Sequence, residues 1–443
     1  MRVTSLSFAV ISALLLLPRE VLAEPNWPQW RGPSLNGTSP ASGLPLTWGE
    51  ADNVKWKIAL PSWGGATPIV WGNRVFVVSP SGASDKAAEG TIARRFPRSK
   101  RGQPGGPDIL LLCFNAVDGA KLWSRPLSGG NALFGKQNMA SPSPVTDGRH
   151  VWAVTGTGVV SAFDFDGSVR WQRNLQSDYG EFGLYWGYAS SPLLYDGKLF
   201  IEVLHMKGPS YLIALDAATG KTVWTHNRVT DATRECPDAY TTPTILSHGG
   251  RTELIVTGAD YVTAHDLATG TEFWRSAGLN PDKKGNYRIV ASPVTAGNLV
   301  FAPTRVRPLL ALRGGGSGDV TTTHLAWKLD KGGPDVPTPI CDGRYLYLIN
   351  DKGIAHCLDI KTGAALYGPQ RTAIGTVSAS PVLADGKIYI INENCTTTVY
   401  KAGPKFEILA TNELDDEYTI STIAPAGKHL FIRSSSYLYC IGQ

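Results

Sequence analysis

Ala214-Leu215-Asp216-Ala217-Ala218-Thr219-Gly220-Lys221-Thr222-Val223-Trp224 reads as a strand ending in Asp, a tight turn ending in Gly, and a second strand with Trp four residues after that Gly. The turn chemistry is local. Asp folds back to cap the turn's own amides, and Gly takes the left-handed φ that a short connection needs. The pattern recurs as Asp266…Gly270…Trp274, with close variants at Asn115…Gly119…Trp123 and Asp164…Gly167…Trp171. In Asp359…Gly363…Tyr367 the final aromatic is Tyr, and Trp327 extends the series.

A second half-unit alternates with the first. It is Ser or Thr before Pro, then a Gly-containing turn, then a β-branched or aromatic strand. Copies begin at Thr67-Pro68, Ser143-Pro144, Ser191-Pro192, Thr242-Pro243, Ser292-Pro293, Thr338-Pro339 and Ser380-Pro381, and a worn eighth is Ser421-Thr422-Ile423. After the first, successive copies lie about 42 to 51 residues apart. Two half-units hold four strands, and a four-stranded sheet repeated at that interval is a propeller blade. The fold expected is therefore all-β: an eight-bladed β-propeller of four-stranded antiparallel blades. The last blade, ending at Tyr437-Leu438-Tyr439-Cys440, lacks a Trp strand, and Val54-Lys55-Trp56-Lys57-Ile58 is a Trp strand without a blade. Pairing them closes the ring and removes both sheet edges. A seven-bladed ring leaves one fragment unpaired and ranks second. Trp56, Trp123, Trp171, Trp224, Trp274 and Trp327 are read as structural docking residues.

Composition agrees. With 48 Gly, 30 Pro and only 3 Met in 443 residues a helical bundle is excluded, and 42% hydrophobic residues exclude disorder. A net charge of +5 is too small by itself to argue for nucleic acid. One position stays small in nearly every unit: Cys113, Ala162, Ala214, Ala264, Ala311, Cys357, Val399 and Cys440. This marks a tight packing site and identifies three of the six cysteines as core thiols; Cys341 with Cys357 is the one disulfide pairing to check.

Residues 1–23 read as a secretory signal peptide: Arg2, an apolar run over Leu6–Leu17, and small residues ending at Ala23. An N-terminal extended segment follows over 24–53, and the propeller spans 54–443. The expected location is exported, periplasmic or secreted, with no transmembrane segment in the mature chain.

The Asp…Gly…Trp unit closely resembles the tryptophan-docking repeat of pyrroloquinoline quinone (PQQ) propellers. The stretch Trp27-Pro28-Gln29-Trp30-Arg31-Gly32-Pro33 resembles in particular the start of exported bacterial PQQ-like repeat proteins. This resemblance implies two kinds of activity. Quinoprotein dehydrogenases of the family hold PQQ and a calcium ion over the channel and oxidise alcohols or sugars. Others, such as the propeller lipoprotein of the outer-membrane barrel-assembly machinery, are binding platforms.

Loops between blades and loops between the second and third strands share one face of such a disc. Glu235, Asp238, Glu393 and Asn394 supply hard oxygen ligands of the kind calcium takes. Arg288 suits an anionic quinone carboxylate, and Trp186 and Tyr240 offer flat surfaces for a ring. Polar loop residues also serve simply as turn caps. The Cys-Cys pair that many of the dehydrogenases carry is missing, and no catalytic triad, phosphate loop or metal-hydrolase motif occurs. The segment Ser81–Asp108 carries six basic and three acidic residues, and so most of the chain's net charge. It reads as a loop for an acidic partner or a lipid surface, or a solvated one. Arg313–His324 reads as a plain insertion on the opposite face. The leading expectation is an exported binding or scaffold protein that meets an envelope protein or a small ligand at the channel mouth. A PQQ- and calcium-dependent dehydrogenase, and a carbohydrate- or peptide-binding propeller, are the alternatives.

Overall fold

A computed structural model describes residues 25–49, 52–82, 103–305, 307–416 and 418–442. The signal-peptide reading and most of the basic loop lie outside the described residues. Eight sheets form the ring. Blade 3 is typical, pairing Leu193–Tyr195, Lys198–Val203, Tyr211–Asp216 and Thr222–Asn227 in antiparallel order. Blade 8 takes Ala424–Ala426, His429–Arg433 and Tyr437–Ile441 from the C-terminus and Val54–Ala59 from the N-terminus as its outer strand. Trp56 faces Cys440 in that pairing, so the two ends of the chain close the ring. The only helix among the described residues is Leu175–Tyr179, capped by Asn174.

The repeated residues explain how blades stack. In blades 1, 3 and 5 the small position lies across from the aromatic of its own outer strand: Cys113 opposite Trp123, Ala214 opposite Trp224, Ala311 opposite Trp327. On its other side it faces a second-strand aromatic, Phe76, Phe200 and Phe301 respectively. The two rings meet over the small residue with centroids 5.7–5.9 Å apart. A larger side chain there would push them apart. Each docking indole then reaches the next blade. Nε1 of Trp56, Trp123, Trp171, Trp224 and Trp327 donates to the carbonyl of Ala116, Phe165, Ala217, Leu267 and Ile360, the residue just after each turn's Asp or Asn. The turn's Gly lies against the indole face: a Cβ on Gly220 would come within 2.6 Å of the Trp171 ring. Trp274 departs from the pattern and donates to Glu253 of its own blade.

The Ser/Thr before each Pro has an equally specific task. The amide of Thr67 donates to the hydroxyl of Ser143, that of Ser143 to Ser191, Ser191 to Thr242, Thr242 to Ser292, Ser292 to Thr338, Thr338 to Ser380, Ser380 to Thr422, and Thr422 back to Thr67. Eight bonds of 2.8–3.2 Å thus run round the channel without a break. The worn eighth copy keeps its hydroxyl, and so keeps its place in the ring.

Two segments differ from expectation. The Arg313–His324 insertion is not a bare excursion: Gly318–Asp319 adds a fifth, parallel strand to blade 4 beside Trp274 and Arg275, covering that edge. Residues 25–49 are also built into the ring rather than merely extended. Trp27 bridges to Val70 in blade 1, Pro28 accepts from Thr146 in blade 2, and the Gln29 side chain accepts from Leu194 in blade 3. Arg31 donates to the carbonyls of Pro339 and Pro381 ahead of blades 6 and 7, and Thr38–Ser39 pairs with the inner strand of blade 7. All six cysteines are buried and free, Cys341 and Cys357 included.

Candidate functional site

The N-terminal strap turns the channel into a cup. Trp30 lines the bottom of a cavity of about 640 Å³ whose walls come from the loops between blades. Beneath it Arg31 is buried, makes its hydrogen bonds to carbonyls rather than to a carboxylate, and has its pKa lowered to about 9 by desolvation. Hydroxyls of the ring, among them Ser191 and Thr242, line the cup at the level where the inner strands begin.

One wall brings together three of the residues picked out for a planar ligand. Both oxygens of Asp238 accept backbone amides, from Tyr185 and Met206, each at 2.7 Å. The Tyr240 hydroxyl accepts the amide of Trp186 at 3.1 Å. Together they set the loop that presents Trp186, whose Nε1 donates to Glu235 at 3.0 Å. Glu235 faces Arg288 at 3.5 Å, Arg288 faces Asp335 at 3.7 Å, and Asp335 faces Arg305 at 3.8 Å. Burial raises Asp238 to about 7 and Asp335 to about 6.

Across the mouth, a hairpin of Ala132–Phe134 and Gln137–Asn138 leans over the cup with Gly135 at its tip. Gln137 donates to the Trp186 carbonyl, and Lys136 reaches Glu393 of blade 7 at 2.6 Å. Glu393 also accepts from Ser378 at 2.5 Å, while Asn394 is exposed on the surface.

This donor set does not fit a calcium ion carrying a quinone. Glu235 and Asp238 stand on one wall and Glu393 on another, and each carboxylate already holds a partner. Asp238 is fully buried and spent on two amides, which makes it a loop anchor rather than a ligand. Among the described residues, the one group of three or more His, Cys, Asp or Glu donors close enough to share a metal lies elsewhere: His226, His265 and Glu272. There Arg275 grips Glu272 through two nitrogens, and buried Arg228 stands close to His265 and Glu272, so the local charge opposes a cation.

Sequence reasoning missed Trp30, Phe134, Lys136 and Asp335. For Asp335 a signal was available, because it lies just ahead of Thr338-Pro339, where every other wall loop runs. For the hairpin none was, since Lys136 meets its partner 257 positions away.

Ring, strap and cup define a closed-ended propeller of PQQ-like repeats. The family model described as outer membrane protein assembly factor BamB matches residues 108–368, more than half of the chain, and the chain belongs to that family. Among solved structures, it is similar to BamB from Moraxella catarrhalis, with TM-score 0.52 and 15% identity over 77% of this chain and 96% of that one. It is also similar to quinohemoprotein alcohol dehydrogenase from Comamonas testosteroni, with TM-score 0.63 and 10% identity over 94% and 80%. The computationally designed Ika8 protein is a third, with TM-score 0.56 and 11% identity over 86% and 97%. At these identities the likeness is one of fold. No curated protein matches the chain.

Proposed function

We propose that this protein is an exported, periplasmic binding protein whose binding element is the cup at the channel mouth, and that it does not work as a dehydrogenase. The observation behind this reading is that each acidic group a catalytic metal would use is already engaged, by Arg288, by Lys136 or by backbone amides. The family description, an assembly factor for outer membrane proteins, favours a partner in the envelope. Among the described residues no helix is long and apolar enough to cross a membrane. Blind-ended, aromatic and of small-ligand size, the cup suits insertion of a ligand or of a partner's side chains.

The test is a pair of measurements on the full chain. Affinity capture from an envelope fraction should return reproducible partners, and Ala189→Trp, which fills the cup from its wall, should lose them. Saturating PQQ with calcium should leave the melting temperature unchanged. A cofactor-dependent rise in melting temperature, accompanied by dye reduction, would return the protein to the dehydrogenases.

A further inference from the structure

We infer that the cup takes a neutral, polyhydroxylated ligand, a saccharide or the terminal sugar of a glycan, and holds it without chemistry; this rests on the binding reading above. Charge is the first reason. Among the described residues, both cations that line the cup face a carboxylate: Lys136 faces Glu393, and Arg288 lies between Glu235 and Asp335, which also faces Arg305. Asp351 accepts the amides of Asp335 and Val336. A charged ligand has to break one of these pairs and leave a half-buried charge unmatched. A neutral ligand does not.

Unused hydrogen-bonding capacity is the second reason. Nη1 of Arg288 and Oδ1 of Asp335 are buried, 3.7 Å apart, and neither has a hydrogen-bond partner. One is a donor and the other an acceptor. Once a side-chain rotation opens the pair to the cup, a hydroxyl group can accept from the first and donate to the second. The hydroxyl ring adds to this. Ser191 and Thr242 each accept an amide from the blade before, and among the described contacts neither donates its own proton. Those protons are available to ligand oxygens.

Shape is the third. Trp30, Phe134 and Trp186 put flat apolar surfaces around this polar wall, which suits the C–H faces of a sugar ring. The volume of about 640 Å³ falls inside the roughly 300–1,000 Å³ of small-ligand sites. The hairpin carrying Phe134 and Lys136 lines the same cavity and adds a further side to it.

The experiment probes the full chain against immobilised neutral glycans spanning hexoses, pentoses and N-acetylhexosamines, then measures competition by the matching free sugar. Retention on at least one class is expected, with binding at least tenfold weaker for Trp186→Ala and for Asp335→Asn. Because Trp186→Ala also strips a partner from Glu235, Ala189→Trp serves as the second variant: it should keep the wild-type melting temperature and abolish retention. No retention on any neutral glycan overturns the inference, and so does retention that survives all three substitutions. If glycans fail while Ala189→Trp still abolishes capture of envelope proteins, the sugar assignment falls and the binding reading stands. Stabilisation by PQQ with calcium removes both.

Discussion

Glu202 is fully buried in blade 3 and takes a hydrogen bond from the Thr241 hydroxyl; desolvation pushes its pKa up to about 8. A carboxyl whose folded pKa is raised adds stability that is complete below its unfolded value, near 4.5, and is lost as the pH climbs through 8. Melting temperature should therefore fall between pH 6.5 and 8, where Asp238 acts in the same direction; below 6.5 the buried histidines, His265 foremost, whose pKa burial lowers, oppose the fall. Glu202→Gln keeps the acceptor for Thr241 and should flatten that fall; differential scanning fluorimetry across the window reads it. Gly220 carries a different constraint, with φ of +71° and the Trp171 ring where a Cβ would be. Gly220→Ala should destabilise by about 1–2 kcal/mol from backbone strain alone, and by more once Trp171 is displaced. Ala214→Leu, wedged between Phe200 and Trp224, should cost about 1–3 kcal/mol by overpacking. Both are measured by denaturant unfolding.

Among the elements, the strap is the least conventional. Its residues Trp27 to Arg31 visit blades 1, 2, 3, 6 and 7 in turn, so the Trp-Pro-Gln-Trp-Arg-Gly-Pro stretch acts as an internal crossbar. Arg31→Met keeps the apolar stem and removes the donors to Pro339 and Pro381. Leaving buried carbonyls unpaired costs about 1–3 kcal/mol, so the melting temperature should drop while the far-ultraviolet circular dichroism of the sheets is kept. A variant as stable as the wild type would mean that the strap is only resting in the channel. The strand elements were legible because their turn chemistry is local to ten residues. The parallel strand of the Gly318 insertion was not, because its pairing with blade 4 depends on where a neighbouring hairpin happens to lie.

The ring as a whole is held by two closures. The eight hydroxyl links include one between the first and last repeats, Thr422 to Thr67, and the outer strand of blade 8 comes from the opposite end of the chain. Trp56 and Trp224 dock identically and are 8% and 7% exposed, so truncating either to Ala removes the same apolar surface, worth about 3–5 kcal/mol with its cavity. Trp56→Ala should nevertheless lower the melting temperature further, since it loosens the one blade built from both termini. Equal losses would show that closure adds nothing beyond the local contact.

The repeat, the blade count and the strand that completes the last blade were determined by the sequence alone, because each rests on turn, spacing or small-residue rules that act within one unit. Which side chains meet at the channel mouth was decided only by tertiary structure. Lys136 and Glu393, or Arg288 and Asp335, come from different blades, and an ion pair across a ring leaves no periodic trace in the chain. That pairing also turned the proposed calcium ligands into partners for arginine, lysine and backbone amides, a difference of environment that residue type by itself does not carry.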